Sequence, residues 1–271
     1  MKDLDKHTEQ SSGYEGLEYL PVKDILVYIN QEDEKVARAV RQVIPVLSEA
    51  VEQSLARIRQ GGRIFYIGAG TSGRLGVTDA SEIPPTYGVK DLFIALIAGG
   101  DGALRKAVEF AEDNTEQAWV DMQAWKPVQS DVLVGLTASG TTPYVLGGLE
   151  IARANGLLTI GITCNPETPL KAHTDYCLEA LTGPEFVRGS TRMKAGTAQK
   201  LILNMYSTAL MIRLGKVQGD KMVDMQLSNK KLLNRGTLMI MEETGLSFEE
   251  SREMLERYGN VRQAIEAVNA K

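Results

Sequence analysis

The chain is expected to fold as an α/β three-layer sandwich around a mainly parallel five-stranded sheet, with a small C-terminal helical appendage. Two observations predict this. Apolar runs of strand length stand at 64–67, 92–98, 132–136, 157–162 and 176–181, and most are continuous rather than alternating, as strands buried on both faces are. Helical stretches around 73–80, 102–125 and 144–155 separate the first four runs, and such alternation builds a parallel sheet through right-handed crossovers. Ligands of these sheets gather at the carboxyl ends of the strands.

The elements follow in order. Residues 1–20 form a polar arm, either flexible or able to close over a ligand. Residues 21–60 read as helix, because Val36, Val40, Val43, Ile44, Leu47, Val51, Leu55 and Ile58 recur at three- and four-residue steps. Pro45 should kink or divide it, and Gly61-Gly62 ends it. The shorter stretch 165–175 before the fifth strand is more loop-like, and 183–190 is a loop. A long helix over 191–214 carries Met193, Ala198, Leu201, Ile202, Met205, Leu210 and Met211, a stripe for the core or for a subunit contact, and Gly215 closes it. Residues 222–233 read as helix, followed by three short helices at 237–243, 248–257 and 261–268, with a capping box at Ser247–Glu250. The expected organisation is an arm and helices over 1–60, a ligand-binding core over 61–220, and a helical region over 221–271 whose three-helix appendage starts near 237.

Composition narrows the function. With 271 residues, 43% hydrophobic and 24% charged, the chain has material for a sizeable core. A net charge of −5 with no block of Lys or Arg gives no support to nucleic acid or a membrane surface as partner. There is no run of eighteen apolar residues and no signal-peptide pattern, so the expected location is cytoplasmic. Cys164 and Cys177 lack zinc-ligand spacing and read as buried, reduced thiols. His7 and His173 lie near no nucleophile motif, so neither a metal nor a Ser-His-Asp triad is expected.

The first strand run feeds into Gly68-Ala69-Gly70-Thr71-Ser72-Gly73, which matches the dinucleotide fingerprint GxGxxG. That fingerprint also wants an acid at the end of the second strand, but the run at 92–98 leads into Gly99-Gly100 without one. A second loop, Ala138-Ser139-Gly140-Thr141-Thr142-Pro143, follows the third strand run and opens a helix. Helix-start N–H groups attract anions, and hydroxyls donate further hydrogen bonds to phosphate oxygens. Two hydroxyl-rich turns at strand ends suit a compact phosphomonoester. Read alone, Ser139 and Thr142 could equally cap the helix.

GAGTSGR at 68–74 with ASGTTPY at 138–144 resembles the sugar isomerase (SIS) domain. GAGTSGRLGVTDASEIPPTYG at 68–88, IAGGDGALRKAVEFAED at 97–113 and GSTRMKAGTAQKLILNM at 189–205 resemble its N-acetylmuramic acid 6-phosphate etherase branch, to which glucokinase regulatory protein is related. The resemblance implies an SIS-type sheet, a cofactor-free lyase releasing D-lactate from the sugar's carbon 3, and a homodimer with the site at or near the subunit interface. It implies catalytic roles for Glu82, as acid to the leaving lactate oxygen, and Glu112, as base at carbon 2. Substrate contacts are expected from Gly70, Thr71, Ser72, Gly73, Arg74, Ser139, Gly140, Thr141, Thr142, Ser190, Arg192 and Lys194. The last three stand where a helix start and two cations would favour an anion, or where capping and surface charge would suffice. The alternatives are an aldose–ketose phosphosugar isomerase and a non-catalytic phosphosugar-binding regulator.

Overall fold

The computed structural model describes residues 6–270. The chain divides into two compact units, one running to Ala80 and resuming over Leu92–Tyr206, the other made of Ser81–Asp91 and the residues from Ser207 onward. The first unit holds five strands: β1 (Ile64–Gly68), β2 (Phe93–Ile97), β3 (Val132–Leu136), β4 (Leu158–Thr163) and β5 (Tyr176–Glu179). They form one parallel sheet in the order β2-β1-β3-β4-β5. The continuous apolar runs have the cause expected of them, since β1, β3 and β4 are buried along their whole length.

Period-two alternation sorts the strand residues between two helical layers. Phe65, Ile67 and Leu133 share one core with Ala118 and Met122 of α3 (Gln117–Gln123) and with Tyr144, Val145 and Leu149 of α4 (Pro143–Ala154). Tyr66 faces the other way, toward Phe93 and Tyr206. Tyr206 belongs to α5 (Lys194–Arg213), and its hydroxyl meets Ser54 of α1 (Val22–Arg59) at 2.6 Å.

Several expectations are corrected. Helix α1 runs unbroken through Pro45 for 38 residues, because buried Val36, Val40 and Val43 before the proline and Leu47, Ala50 and Val51 after it keep one apolar stripe in the core. Helix α2 (Gly70–Tyr87) likewise continues through Pro84 and Pro85. The helix expected over 102–125 is instead two single 3-10 turns, Asp101–Leu104 and Ala111–Asp113, and the short α3. Phe110 breaks the run by adopting φ +60, a left-handed conformation that no helix interior accepts. The long helix begins at Lys194 rather than 191. The arm is docked over its first described residues: Lys6 and Thr8 are buried, and Asn165, 157 positions away, exchanges hydrogen bonds with Thr8.

In the second unit, residues 222–229 are not helical. Val223 and Met225 are buried in a turn and the irregular backbone after it, Val223 O accepts from Arg262 N, and Gln226 N donates to Pro85 O. The helices there are α6 (Lys230–Thr244), α7 (Phe248–Tyr258) and α8 (Val261–Asn269), packed on a core of Val223, Met225, Ile240, Leu255, Val261 and Ile265. The first of these three helices begins at Lys230, where helices ending at 233 and beginning at 237 were expected. The capping box at Ser247 and Glu250 is present.

Candidate functional site

The strand order places the site. β1 connects to β2 on one side, and β3 lies on the other, so the chain reverses direction across the sheet between β1 and β3. A crevice opens at such a switch point outside the carboxyl ends of the strands. Both turns singled out in the sequence lie there, because Gly68 ends β1 opposite Leu136, which ends β3.

The first turn is shaped by close backbone approach. A Cβ on Gly68 or on Gly73 would lie within 3 Å of the other residue's backbone, so both glycines serve the strand-to-helix packing. Gly70, at φ +53 with open space around it, is the exposed one. It lines a cavity of about 260 Å³ with Arg74, Val108, Phe110 and Glu112. Arg74 holds the far wall, its Nε donating to Leu104 O (3.0 Å) and its Nη2 to Ala103 O (2.7 Å). Val108 packs so tightly on Gly99, just past the end of β2, that a Cβ there would come to 2.8 Å. Glu112 is exposed on its 3-10 turn at the cavity wall. Phe110 opens that turn in its left-handed conformation and is 80% exposed, a strained setting of the kind found near functional sites.

The second turn is a hydrogen-bonded cage. Thr137 Oγ1 lies 2.8 Å from Thr142 Oγ1 and 3.2 Å from Ser139 Oγ, and it accepts from Gly140 N at 3.1 Å. Ser139 Oγ accepts from Thr141 N and from Thr141 Oγ1. Gly140 is at φ +72, and the Thr168 side chain fills the place where a Cβ would go. Thr142 is the N-cap of α4 but makes no capping hydrogen bond with its side chain, so capping does not account for it.

The remaining expected residues scatter. Ser72 turns inward, donating to Gln199 Oε1 at 2.8 Å. Thr71 and Arg192 share a small cavity of about 230 Å³ with Leu75, Thr197 and Lys200. Ser190 precedes α5 in a turn where Met193 N donates to Ser190 O. Lys194 is 2% exposed and paired with buried Glu32 at 2.6 Å. The start of α5 already holds an anion: Glu185 accepts from Lys194 N and Ala195 N, both at 2.9 Å. Burial pushes the Glu185 carboxyl up, and those two N–H groups offset part of the rise. Burial also pushes Cys177 up to about 11, and raises Cys164 further. Glu82 is exposed on α2, twelve residues after Gly70, and belongs to the second unit.

A family model described as the glucokinase regulatory protein N-terminal SIS domain matches residues 46–153, and the SIS domain model matches 120–209. The N-acetylmuramic acid 6-phosphate etherase of Porphyromonas gingivalis is 56% identical over 269 residues, covering 99% of this chain and 98% of that protein. This chain belongs to the N-acetylmuramic acid 6-phosphate etherase family. The Bacteroides fragilis etherase is 54% identical over 98% of this chain and 95% of its own length. Among solved structures, a phosphoheptose isomerase from Francisella tularensis aligns with a TM-score of 0.54 at 17% identity, over 70% of this chain and 98% of that one. The Vibrio vulnificus NanR protein complexed with ManNAc-6P aligns at 0.52 and 19%, over 72% of this chain and 65% of that one. At these identities the likeness is one of fold.

Sequence reading had missed two residues of the etherase-family chain's second turn. Thr137, its hub, sits just before the Ser/Thr run and reads as the end of a strand. Lys6 donates to Thr141 Oγ1 at 3.0 Å from 135 positions away, a separation over which no local pattern carries a signal.

Proposed function

We propose that this chain is a carbon–oxygen lyase that cleaves the lactyl ether of N-acetylmuramic acid 6-phosphate, giving N-acetylglucosamine 6-phosphate and D-lactate, in the cytoplasmic breakdown of cell-wall amino sugars. The phosphate sits on the Ser139–Thr142 turn, and the sugar extends toward Gly70 and the Glu112 wall. In the open-chain sugar the C2 hydrogen is acidified by the neighbouring aldehyde. Glu112 takes that proton, the C3–O bond breaks, and Glu82 gives a proton to the departing lactate oxygen. Water then adds at C3 of the unsaturated aldehyde, activated by Glu82, and C2 is reprotonated. One water is consumed and one lactate leaves.

Two carboxylates of opposite starting protonation are needed. In this reading the chain is a homodimer with its site at the subunit interface, and the Glu82 that serves a given Glu112 comes from the second copy of the chain. The observation carrying this reading is the cavity that Glu112, Gly70 and Arg74 share past the end of β1, in a chain 56% identical to a named etherase.

The test is D-lactate release from N-acetylmuramic acid 6-phosphate, with solvent exchange at C2 followed in deuterated water. Glu112→Gln should lower exchange and release by about 100-fold or more while sugar still binds. Wild-type exchange in that variant removes Glu112 from the role. Glu82→Gln and Glu112→Gln, each inactive alone, should recover up to about a quarter of wild-type activity when mixed and reassociated, because a mixed dimer holds one intact site. No recovery from a mixed dimer shown to form would place both carboxylates of a site on one chain.

A further inference from the structure

The hydroxyl turn after β3 holds a cation from the other end of the sequence. Lys6 is 6% exposed, and its Nζ donates to Thr141 Oγ1 at 3.0 Å. Thr141 Oγ1 in turn donates to Ser139 Oγ, so its lone pairs face the ammonium. The arm that carries Lys6 is fixed two residues further on. Thr8 N donates to Asn165 Oδ1 (3.2 Å), while Asn165 Nδ2 donates to Thr8 Oγ1 (3.1 Å) and to Ala138 O (2.8 Å), next to Ser139. Gly189 N donates to Thr8 O at 3.1 Å, and Arg188 Nε donates to Glu9 O. The ammonium is thus set into the turn by a pinned backbone as well as by its own flexible stem.

The surroundings are rich in donors. Four hydroxyl side chains, the start of the twelve-residue α4 and the ammonium converge on the turn. Thr168, which packs on Gly140, is 4% exposed, and its Oγ1 has no hydrogen-bond partner among the described residues. A dianionic group with several acceptor oxygens answers such a set, since charge-assisted hydrogen bonds to Lys are the strong ones.

The geometry points to Lys6 as a substrate-binding residue: the arm's ammonium is a ligand of the phosphomonoester seated on the Ser139–Thr142 turn, and the arm completes that subsite. This rests on the phosphosugar reading above. The phosphate does not react, so Lys6 grips ground state and transition state alike and should act on KM rather than kcat.

Lys6→Met should raise KM for N-acetylmuramic acid 6-phosphate by about 10- to 100-fold, the worth of one charge-assisted hydrogen bond, and leave kcat within about threefold. Lys6→Arg should recover most of the loss. With N-acetylmuramic acid lacking the phosphate, kcat/KM should be the same in wild type and Lys6→Met. An unchanged KM, or an equal loss on both sugars, overturns the assignment; the equal loss would make Lys6 a structural anchor of the arm. If the wild type releases no D-lactate, the etherase reading fails, and calorimetric binding decides Lys6 separately. Wild type should prefer N-acetylglucosamine 6-phosphate over N-acetylglucosamine, and Lys6→Met should lose that preference. A preference kept in Lys6→Met would overturn it.

Discussion

Helices α4 and α5 both begin at sequences that promise an anion site, and the structure answers them in opposite ways. At α5 the promise is met from within. Glu185 accepts from the first two N–H groups, and the cation beside them, Lys194, is held by Glu32. At α4 the neighbours of the helix start are hydroxyls bonded to one another, and Lys6 donates to one of them, Thr141. A helix dipole and a cation are therefore common to a buried structural joint and to a ligand seat. The difference lies in what meets the N–H groups there: a buried carboxylate at the start of α5, a cluster of hydroxyls at the turn before α4.

Breaking the joint should have the largest effect. Glu185→Ala removes two hydrogen bonds to a charged acceptor in a buried place, each worth about 1.5–3 kcal/mol, so stability should fall by on the order of 3 kcal/mol or more. Urea unfolding midpoints measure it. A variant as stable as wild type would mean that the start of α5 has no need of its internal anion, and the contrast with α4 would collapse.

The seat should respond in binding more than in stability. Thr137→Val keeps the shape of the side chain but removes the oxygen that meets Gly140 N, Ser139 and Thr142. KM for the phosphosugar should rise about tenfold, against a stability loss of about 1 kcal/mol. A loss of stability as large as that of Glu185→Ala, with KM unchanged, would make this turn a second structural joint.

These two places also mark how far sequence reading reaches. The strands were legible because a parallel strand buried on both faces has to be apolar throughout, and the two turns because glycine and hydroxyl residues interrupt those runs abruptly. What was illegible depends on distant pairs or on one backbone angle. Lys194 looked like a surface cation because Glu32, its partner, lies 162 positions away. Lys6 looked like part of a loose arm for the same reason. Glu112 was expected in a long helix over 102–125, and the chain leaves helix at 105–110, with Phe110 at φ +60, and again at Asn114. Residues 222–233 read as helix, whereas over 222–229 the backbone makes local turns and bonds to Pro85 and Arg262.

The smallest effect sharpens the joint electrostatically. Burial pushes the Glu32 carboxyl up, but hydrogen bonds from Lys194, Lys35 and Tyr14 and the charge of Lys194 outweigh it and hold the group below its ordinary 4.5. A depressed carboxylate contributes stability that is fully present above 4.5 and is lost as pH falls through the folded value. Glu185 is raised by its burial, so its contribution has the opposite sign: it is present below 4.5 and is lost as pH rises through the folded value, which lies above 4.5. The two carboxylates that surround Lys194 therefore act in separate windows. Stability measured by urea unfolding at a series of pH values should change less steeply below pH 4.5 in Glu32→Gln than in wild type. In Glu185→Gln the slope should differ from wild type only above pH 4.5. Both substitutions altering the same window would mean that the pair titrates as one unit, and that the anion at the start of α5 is shared between Glu32 and Glu185 through Lys194.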